Sequence, residues 1–274
     1  MGKFDGILIC TDLDGTLYRS DKTISPENMA AIEYFKREGG LFTFITGRMP
    51  NYSQDAYNWV KPNVPYGCVN GGGLYDGAKE EYVWTCQVPE AYRELIAMID
   101  RKYPKVGIQL CTFENTLFAK DHRLAPEFRR LRGLPDLTCD YRTVREPVGK
   151  IIFMTDDEEE IRAVEQDLRT HPLAPEFGFV RSEQTLFEIL PKGVHKGLVL
   201  EKLIDYLQID PKQTIAIGDY DNDIGMFHTA KYGVAVANAC QAALDAADIV
   251  TVSNEEHAIA HIIHAVEKGE FSFV

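Results

Sequence analysis

The chain has 274 residues, of which 45% are hydrophobic and 26% are charged, and its formal net charge is −13. This length allows one large domain or two smaller ones, and the composition excludes a disordered chain. The sequence has no basic stripe of the kind that binds nucleic acid, and no apolar run approaches the roughly 20 residues of a membrane helix.

The six cysteines are scattered, and no two of them have CxxC spacing. This pattern favours reduced thiols over a disulfide scaffold or a zinc site. The opening stretch, MGKFDGILICTD, lacks the pattern of a secretory signal peptide. We therefore expect a cytoplasmic protein.

Strand-like and helix-like segments alternate in the first part of the chain. Ser25 and Pro26 are typical of an N-cap followed by proline at the first helical position. Strands are predicted over 6–11, 41–46 and 66–69, and helices over 26–38 and 51–60. This β-α-β-α-β order is typical of a parallel sheet with helices on its faces.

The same alternation returns near the end of the chain. Helices are predicted over 196–207, 221–230, 239–246 and 255–268, and strands over 214–218, 233–237 and 248–252. The middle has several strands with two helices, over 90–102 and 156–171, which indicates an inserted α+β unit. We predict a doubly wound parallel-sheet, Rossmann-like α/β core from residues 1–82 and 190–274, with an α+β cap domain from residues 83–189.

Three of the predicted core strands end in polar residues. The first runs into TDLDGT (11–16), the second ends at TGR (46–48), and the third runs into GDYDND (218–223). Ligands of open α/β sheets bind at the carboxyl ends of the strands, so these segments should meet in one site. Several carboxylates in one cleft stay ionised only beside positive charge, and oxygen ligands favour Mg²⁺.

These segments, in this order and with Lys196 between the second and third, resemble the four motifs of the haloacid dehalogenase-like (HAD) hydrolases. The position of the insertion, the stretch VNGGGLYD (69–76) and the stretch LPKGVHKGLVLEKL (190–203) resemble the Cof-like phosphatases with a type IIB cap. The resemblance implies a phosphoric monoester hydrolase that acts through an aspartyl-phosphate. It also implies Mg²⁺ as cofactor and a small phosphorylated metabolite, with sugar phosphates favoured, as substrate.

The resemblance assigns roles to four acids. It implies that Asp12 is the nucleophile and a metal ligand. Asp14 would act as general acid and then general base, with its backbone carbonyl on the metal. Asp219 would bind the metal directly, and Asp223 directly or through water.

The resemblance also implies a set of residues around the phosphoryl group. Thr46 would bind a phosphoryl oxygen, Lys196 would neutralise charge on the phosphoryl group and on Asp12, and Asn222 would orient the phosphate or Lys196. Gly47 and Arg48 complete the expected substrate-binding residues, although Arg48 could instead pair with an acid. Asn70 is a further candidate for contact with the substrate, and Asp221 is expected to be a capping or solvent-facing acid.

Two other functions remain open from the sequence. A phosphomutase on the same scaffold would share the nucleophile and return the phosphoryl group to the substrate. A phospho-acceptor signalling domain also uses acids, Mg²⁺ and a lysine around an aspartate, but it needs about half this length and lacks an acid/base equivalent to Asp14. The sequence does not identify a protein partner.

Overall fold

The structure, a computed structural model, describes residues 2–273, and the chain in it divides into two units. The first unit comprises the chain up to Gly47, Gln54–Trp84, and the chain from His195 onward. The second comprises Arg48–Ser53 and Thr85–Val194. These divisions follow Trp84 and Val194, compared with the expected borders after residues 82 and 189, and the second unit also takes the short segment that begins at Arg48.

The strands are β1 (Leu8–Thr11), β2 (Leu41–Phe44), β3 (Tyr66–Cys68), β4 (Gly73–Asp76), β5 (Glu81–Thr85), β6 (Gly107–Thr112), β7 (Thr116–Lys120), β8 (Val148–Met154), β9 (Phe177–Glu183), β10 (Leu186–Pro191), β11 (Thr214–Gly218), β12 (Tyr232–Ala235) and β13 (Ile249–Val250). The α-helices are α1 (Pro26–Arg37), α2 (Gln54–Val60), α3 (Tyr92–Lys102), α4 (Ala125–Arg132), α5 (Glu158–Thr170), α6 (Lys196–Leu207), α7 (Ile224–Thr229), α8 (Gln241–Ala246) and α9 (Ala258–Glu267).

The first unit contains a five-stranded parallel sheet in the order β13-β12-β11-β1-β2. A parallel bridge between Ile45 and Gly67 links the end of β2 to β3, which continues antiparallel into β4. The strand β1 lies between β2 and β11, so the order reverses there. Such a reversal opens a crevice at the carboxyl ends of the strands, where α/β proteins bind ligands.

The helices α1 and α6 beside this sheet begin where the sequence predicts. The hydroxyl of Ser25 accepts a hydrogen bond of 3.2 Å from the backbone N–H of Asn28, which caps α1 ahead of Pro26. The ring Nδ1 of His195 accepts a hydrogen bond of 3.2 Å from the N–H of Leu198 and caps α6. The second cap makes Lys196 the first residue of its helix.

The second unit contains a five-stranded antiparallel sheet in the order β7-β6-β8-β10-β9. Alternate residues of its strands, among them Ile108, Ile151 and Phe187, form a fully buried core with the apolar stripes of α3 and α5. An antiparallel sheet packed on helices is an α+β arrangement. The predicted fold class, a parallel α/β core with an inserted α+β unit, is therefore confirmed.

Two local features differ from what the sequence predicts. Helix α4 was not predicted, because its sequence, APEFRRLR, has few apolar residues to mark a buried face. The helix predicted over 51–60 is a 3₁₀ turn, Pro50–Tyr52, followed by α2. Among residues 2–273, no helix combines the length and apolar character that a membrane span requires.

Candidate active site

The first predicted carboxylate, Asp12, lies directly after β1 at the carboxyl end of the parallel sheet. Its backbone N–H donates a hydrogen bond of 2.8 Å to the carbonyl of Ile217 in β11, which continues the ladder between the two strands. Only 6% of Asp12 is exposed. The central strand therefore places a buried carboxylate at the reversal of strand order.

Lys196 contacts both Asp12 and Asp223, an acid of the segment GDYDND (218–223). Its Nζ lies 2.6 Å from Oδ1 of Asp12 and 2.5 Å from Oδ1 of Asp223, and all three side chains are buried. The other oxygen of Asp223, Oδ2, accepts hydrogen bonds from the N–H groups of Asp219 (2.9 Å) and Tyr220 (3.0 Å). Both oxygens of Asp223 thus hold groups of the protein, the lysine on one side and the loop after β11 on the other.

Asp219 is held by the residues that follow Asp14. The hydroxyl of Thr16 donates a hydrogen bond of 2.7 Å to Oδ1 of Asp219. Gly15 has a φ of +86°, and a Cβ added there would lie 2.3 Å from Oδ2 of Asp219. A larger residue would meet both a backbone conformation that favours glycine and the carboxylate itself. The glycine and threonine of the first motif therefore bring Asp219 close to the turn after β1.

Three carboxylates have the arrangement that a metal ion needs. Asp12, Asp219 and Asp223 each offer an oxygen within 4.8 Å of the others. Burial raises the pKa of Asp12 well above its usual range, and the nearby acids raise it further against the effect of Lys196. Burial and the charge of Asp223 raise the pKa of Asp219 to about 6. These oxygen donors, crowded and short of positive charge, fit a magnesium ion.

The cation already present in the cluster is Lys196. Burial opposes its charge, but the carboxylates of Asp12 and Asp223 outweigh burial and raise the pKa of the lysine above its ordinary value. Lys196 is therefore charged. When all three acids are ionised, one lysine leaves the cluster with an excess of negative charge.

The side chain of Asp14 lies apart from this group of three. It is 41% exposed, and its Oδ1 accepts a hydrogen bond of 3.0 Å from Nζ of Lys22. Its backbone, at φ −80° and ψ 115°, leaves the helical conformation within the irregular turn Leu13–Leu17. Because of this break, the side chain of Asp14 points away from the buried side chain of Asp12.

The second motif lies beside the turn after β3. Thr46 is buried, and its carbonyl accepts a hydrogen bond of 3.1 Å from the N–H of Asn70. Asn222 donates from Nδ2 to Oδ1 of Asn70 at 3.2 Å, and a Cβ added to Gly47 would lie 2.7 Å from the same Oδ1. The structure thus brings Thr46, Gly47 and Asn222 together around Asn70.

Arg48 belongs to the second unit. Its guanidinium carbon lies 4.4 Å from the ring centroid of Tyr52, within the same short segment. This contact is a cation–π interaction.

Two residues at the site were not assigned from the sequence. Thr16 holds Asp219 through the hydrogen bond from its hydroxyl. Asn238, just after β12, donates from Nδ2 to the carbonyl of Gly15 at 2.8 Å and accepts at Oδ1 from the N–H of Asn254 at 2.9 Å. The signal for Asn238 is its position, since it follows another strand at the same end of the parallel sheet.

The chain is similar to known phosphatases and hydrolases along nearly its whole length. YitU of Bacillus subtilis, a 5-amino-6-(5-phospho-D-ribitylamino)uracil phosphatase, is 26% identical over 265 residues, which cover 93% of this chain and 96% of YitU. The structure of a haloacid dehalogenase-like hydrolase from Bacteroides thetaiotaomicron superposes with a TM-score of 0.84 at 24% identity, over 95% of this chain and 99% of that one.

A further solved structure carries the cap subclass that the sequence predicts. The HAD subclass IIB sugar phosphatase BT4131 superposes with a TM-score of 0.80 at 22% identity, over 95% of this chain and 98% of that chain. The predicted enzyme class, a phosphatase of the HAD type, agrees with these relatives and is confirmed. A family model of the haloacid dehalogenase-like hydrolases matches residues 9–263, and the chain therefore belongs to that family, as its motifs predict.

Proposed function

We propose that this protein is a magnesium-dependent, cytoplasmic phosphatase that hydrolyses small phosphorylated metabolites through an aspartyl-phosphate on Asp12. The observation that carries the proposal is the buried contact between Lys196 and Asp12, in a cluster with Asp223 and the partly buried Asp219. A carboxylate nucleophile beside a fixed cation, among acids that can share a metal, suits phosphoryl transfer. That reaction depends mostly on positioning and on charge stabilisation.

The metal would be held by the carboxylates of Asp12 and Asp219 and by the backbone carbonyl of Asp14. We assign Asp223 a contact through water, because Lys196 and two backbone N–H groups already engage its two oxygens. Bound Mg²⁺ would supply positive charge that offsets the repulsion between Asp12 and the phosphoryl oxygens. Mg²⁺ normally retains several waters and takes few protein ligands, which agrees with this small set.

In the first half-reaction, Oδ2 of Asp12 attacks phosphorus, since Oδ1 accepts the hydrogen bond from Lys196. The P–O bond to the organic part breaks as the new bond to Asp12 forms. Asp14 gives its proton to the departing oxygen, which leaves as an alcohol. Lys196 and Thr46 offset the charge on the phosphoryl oxygens during the transfer.

In the second half-reaction, Asp14, now a carboxylate, takes a proton from a water molecule that attacks phosphorus. The bond between phosphorus and Oδ2 of Asp12 breaks, which releases inorganic phosphate and restores both carboxyl groups to their starting states. Asp14 is partly exposed, so both water and the leaving alcohol can reach it.

For the substrate we propose a phosphate ester of a sugar or another polyhydroxylated carbon chain. The named activity of YitU acts on a phosphorylated ribityl chain, and BT4131 is a sugar phosphatase. Phosphate esters of nucleotide-like or cofactor compounds belong in the same assay, since the phosphoryl-binding residues do not discriminate between organic parts.

The test is phosphate release from a panel of hexose, pentose and pentitol phosphates, with Mg²⁺ or with EDTA, for wild type and Asp12→Asn. We expect release by the wild type in Mg²⁺ alone. Asp221→Asn serves as the matched control, because this exposed acid lies in the same loop as Asp219 and Asp223. An isomerised sugar phosphate without free phosphate would indicate a mutase, and a persistent phospho-Asp12 without turnover would indicate a signalling domain.

A further inference from the structure

The turn after β3 has an unusual backbone. Three successive residues have positive φ: Val69 at 57°, Asn70 at 53° and Gly71 at 101°. Glycine adopts this region readily and asparagine tolerates it, but a β-branched valine there is a rare exception. Val69 is fully buried. The surrounding structure therefore imposes this conformation, and such strain is concentrated at functional sites.

The strained turn packs against the start of α6. A Cβ added to Gly71 would lie 2.1 Å from the carbonyl oxygen of His195 and 3.0 Å from the backbone nitrogen of Lys196. The turn thus needs glycine for close approach as well as for its φ. It lies against the backbone that carries the lysine of the proposed mechanism.

Asn70, at the centre of the turn, contacts the loops that follow two different strands. Its N–H donates to the carbonyl of Thr46 after β2, and its Oδ1 accepts from Nδ2 of Asn222 after β11. The same Oδ1 lies where a side chain on Gly47 would begin. Asn70 is 2% exposed, so these contacts are shielded from water.

We propose that Asn70 is a positioning residue of the phosphoryl site, whose side-chain amide fixes Asn222 relative to the loop of Thr46 and Gly47. This inference rests on the proposed function, in which Thr46 contacts the phosphoryl oxygens, and on the role expected for Asn222 from the family resemblance, which is to orient the phosphate or Lys196. Asn70 itself acts through these neighbours. Its amide, and not only its tolerance of positive φ, is what the site requires.

The test separates the amide from the backbone conformation. Asn70→Gly keeps the left-handed conformation and removes the amide. We expect it to lower kcat for the best substrate of the panel about tenfold, with KM changed less than twofold, because positioning matters most in the transition state. Thermal unfolding checks that the variant folds, and Asn70→Ser replaces it in every assay if it does not.

A double-mutant cycle with Asn222→Ala tests whether the two asparagines act together. If Asn70 acts by holding Asn222, the double variant should lose no more activity than the worse single variant. The proposal would be overturned if the loss of kcat in the double variant equalled the product of the two single losses. It would also be overturned if Asn70→Gly kept the kcat of the wild type. Failure of the wild type to release phosphate from any ester would instead overturn the proposed function and this inference together.

Inhibition gives a second readout that a merely structural role would not change. Orthovanadate can adopt the five-coordinate geometry of phosphoryl transfer, whereas inorganic phosphate stays tetrahedral. We expect Asn70→Gly to weaken inhibition by orthovanadate about tenfold and inhibition by phosphate less than twofold. Equal weakening of both would show general damage to the pocket and would contradict a positioning role.

Discussion

Nζ of Lys196 lies 2.6 Å from Oδ1 of Asp12, although 184 positions separate the two residues in the sequence. The pair is buried, and Lys196 also contacts Asp223. Burying charges costs desolvation energy that their attraction often only balances, so such a pair is weak evidence of a stabilising role. Its position at the carboxyl ends of β1 and β11 indicates that chemistry, not stability, explains the arrangement.

Replacing Lys196 should nevertheless lower both activity and stability, because two buried carboxylates would lose the cation that they contact. In Lys196→Met the cation is lost while Asp12 and Asp223 stay buried. We expect kcat to fall by at least about 100-fold, the scale of losing one charge-stabilising group, and the free energy of unfolding to fall by about 3 kcal/mol. Phosphate release and urea unfolding measure the two effects. Lys192→Met, at an exposed position, is the control, and turnover retained in Lys196→Met would contradict the role of the lysine.

Replacing Asp12, in contrast to replacing Lys196, should abolish activity without lowering stability. Asp12→Asn and Asp12→Ala remove the nucleophile, and we expect both to abolish measurable phosphate release. Burial and the neighbouring acids raise the pKa of Asp12 because they disfavour its charged form, so a neutral amide at this position removes that cost. The thermal midpoint of metal-free Asp12→Asn should therefore equal or exceed that of the wild type. Appreciable turnover by both variants would refute the assignment of the nucleophile.

We expect that position 15 requires glycine, because its backbone has a positive φ and because it lies close to Asp219. Gly15→Ala puts a Cβ at a φ of +86° and 2.3 Å from Oδ2 of Asp219. We expect a loss of stability of about 1–3 kcal/mol and weaker binding of Mg²⁺, because Asp219 must move. The weaker binding is measured by titrating the protein with Mg²⁺, with the thermal midpoint and the activity as the two readouts.

The control for this variant is Gly133→Ala. Gly133 also has a positive φ, +59°, but an added Cβ there meets no atom within 4 Å. It isolates the cost of the backbone conformation, about 1 kcal/mol. Equal effects of the two substitutions on stability and on Mg²⁺ binding would show that the contact with Asp219 has no consequence.

The sequence predicts the parts of this site that depend on strand ends. Asp12 and Asp219 follow buried strands, and the parallel order of β1 and β11 is enough to bring them together. The contact between Asn70 and Asn222 was not predictable in this way. It depends on a turn in which a valine adopts positive φ, and sequence propensity disfavours that conformation. Helix α4 was missed for the related reason that local pattern gives little signal where few apolar residues are present.

Asp219 allows a test of the metal site through stability. Its pKa is raised from 3.8 to about 6 by burial and by the neighbouring acids. A carboxyl group whose pKa is higher in the folded state than in the unfolded state contributes its full stabilisation only below the unfolded-state pKa. That contribution is lost as the pH rises through the folded-state pKa. In EDTA, the wild type should therefore lose stability, relative to Asp219→Asn, between about pH 4 and pH 6.

Above this range, Asp219→Asn should be the more stable protein in EDTA, by on the order of 2 kcal/mol. The amide can still accept the hydrogen bond from Thr16, so the substitution removes mainly charge. Added Mg²⁺ should raise the thermal midpoint of the wild type and have much less effect on the variant, because binding to the folded state stabilises it. Asp221→Asn, in the same loop, should respond to Mg²⁺ as the wild type does. A wild type that is more stable than Asp219→Asn in EDTA at pH 7.5 would contradict the crowding of acids at this site, and equal responses to Mg²⁺ would contradict the assignment of Asp219 as a ligand.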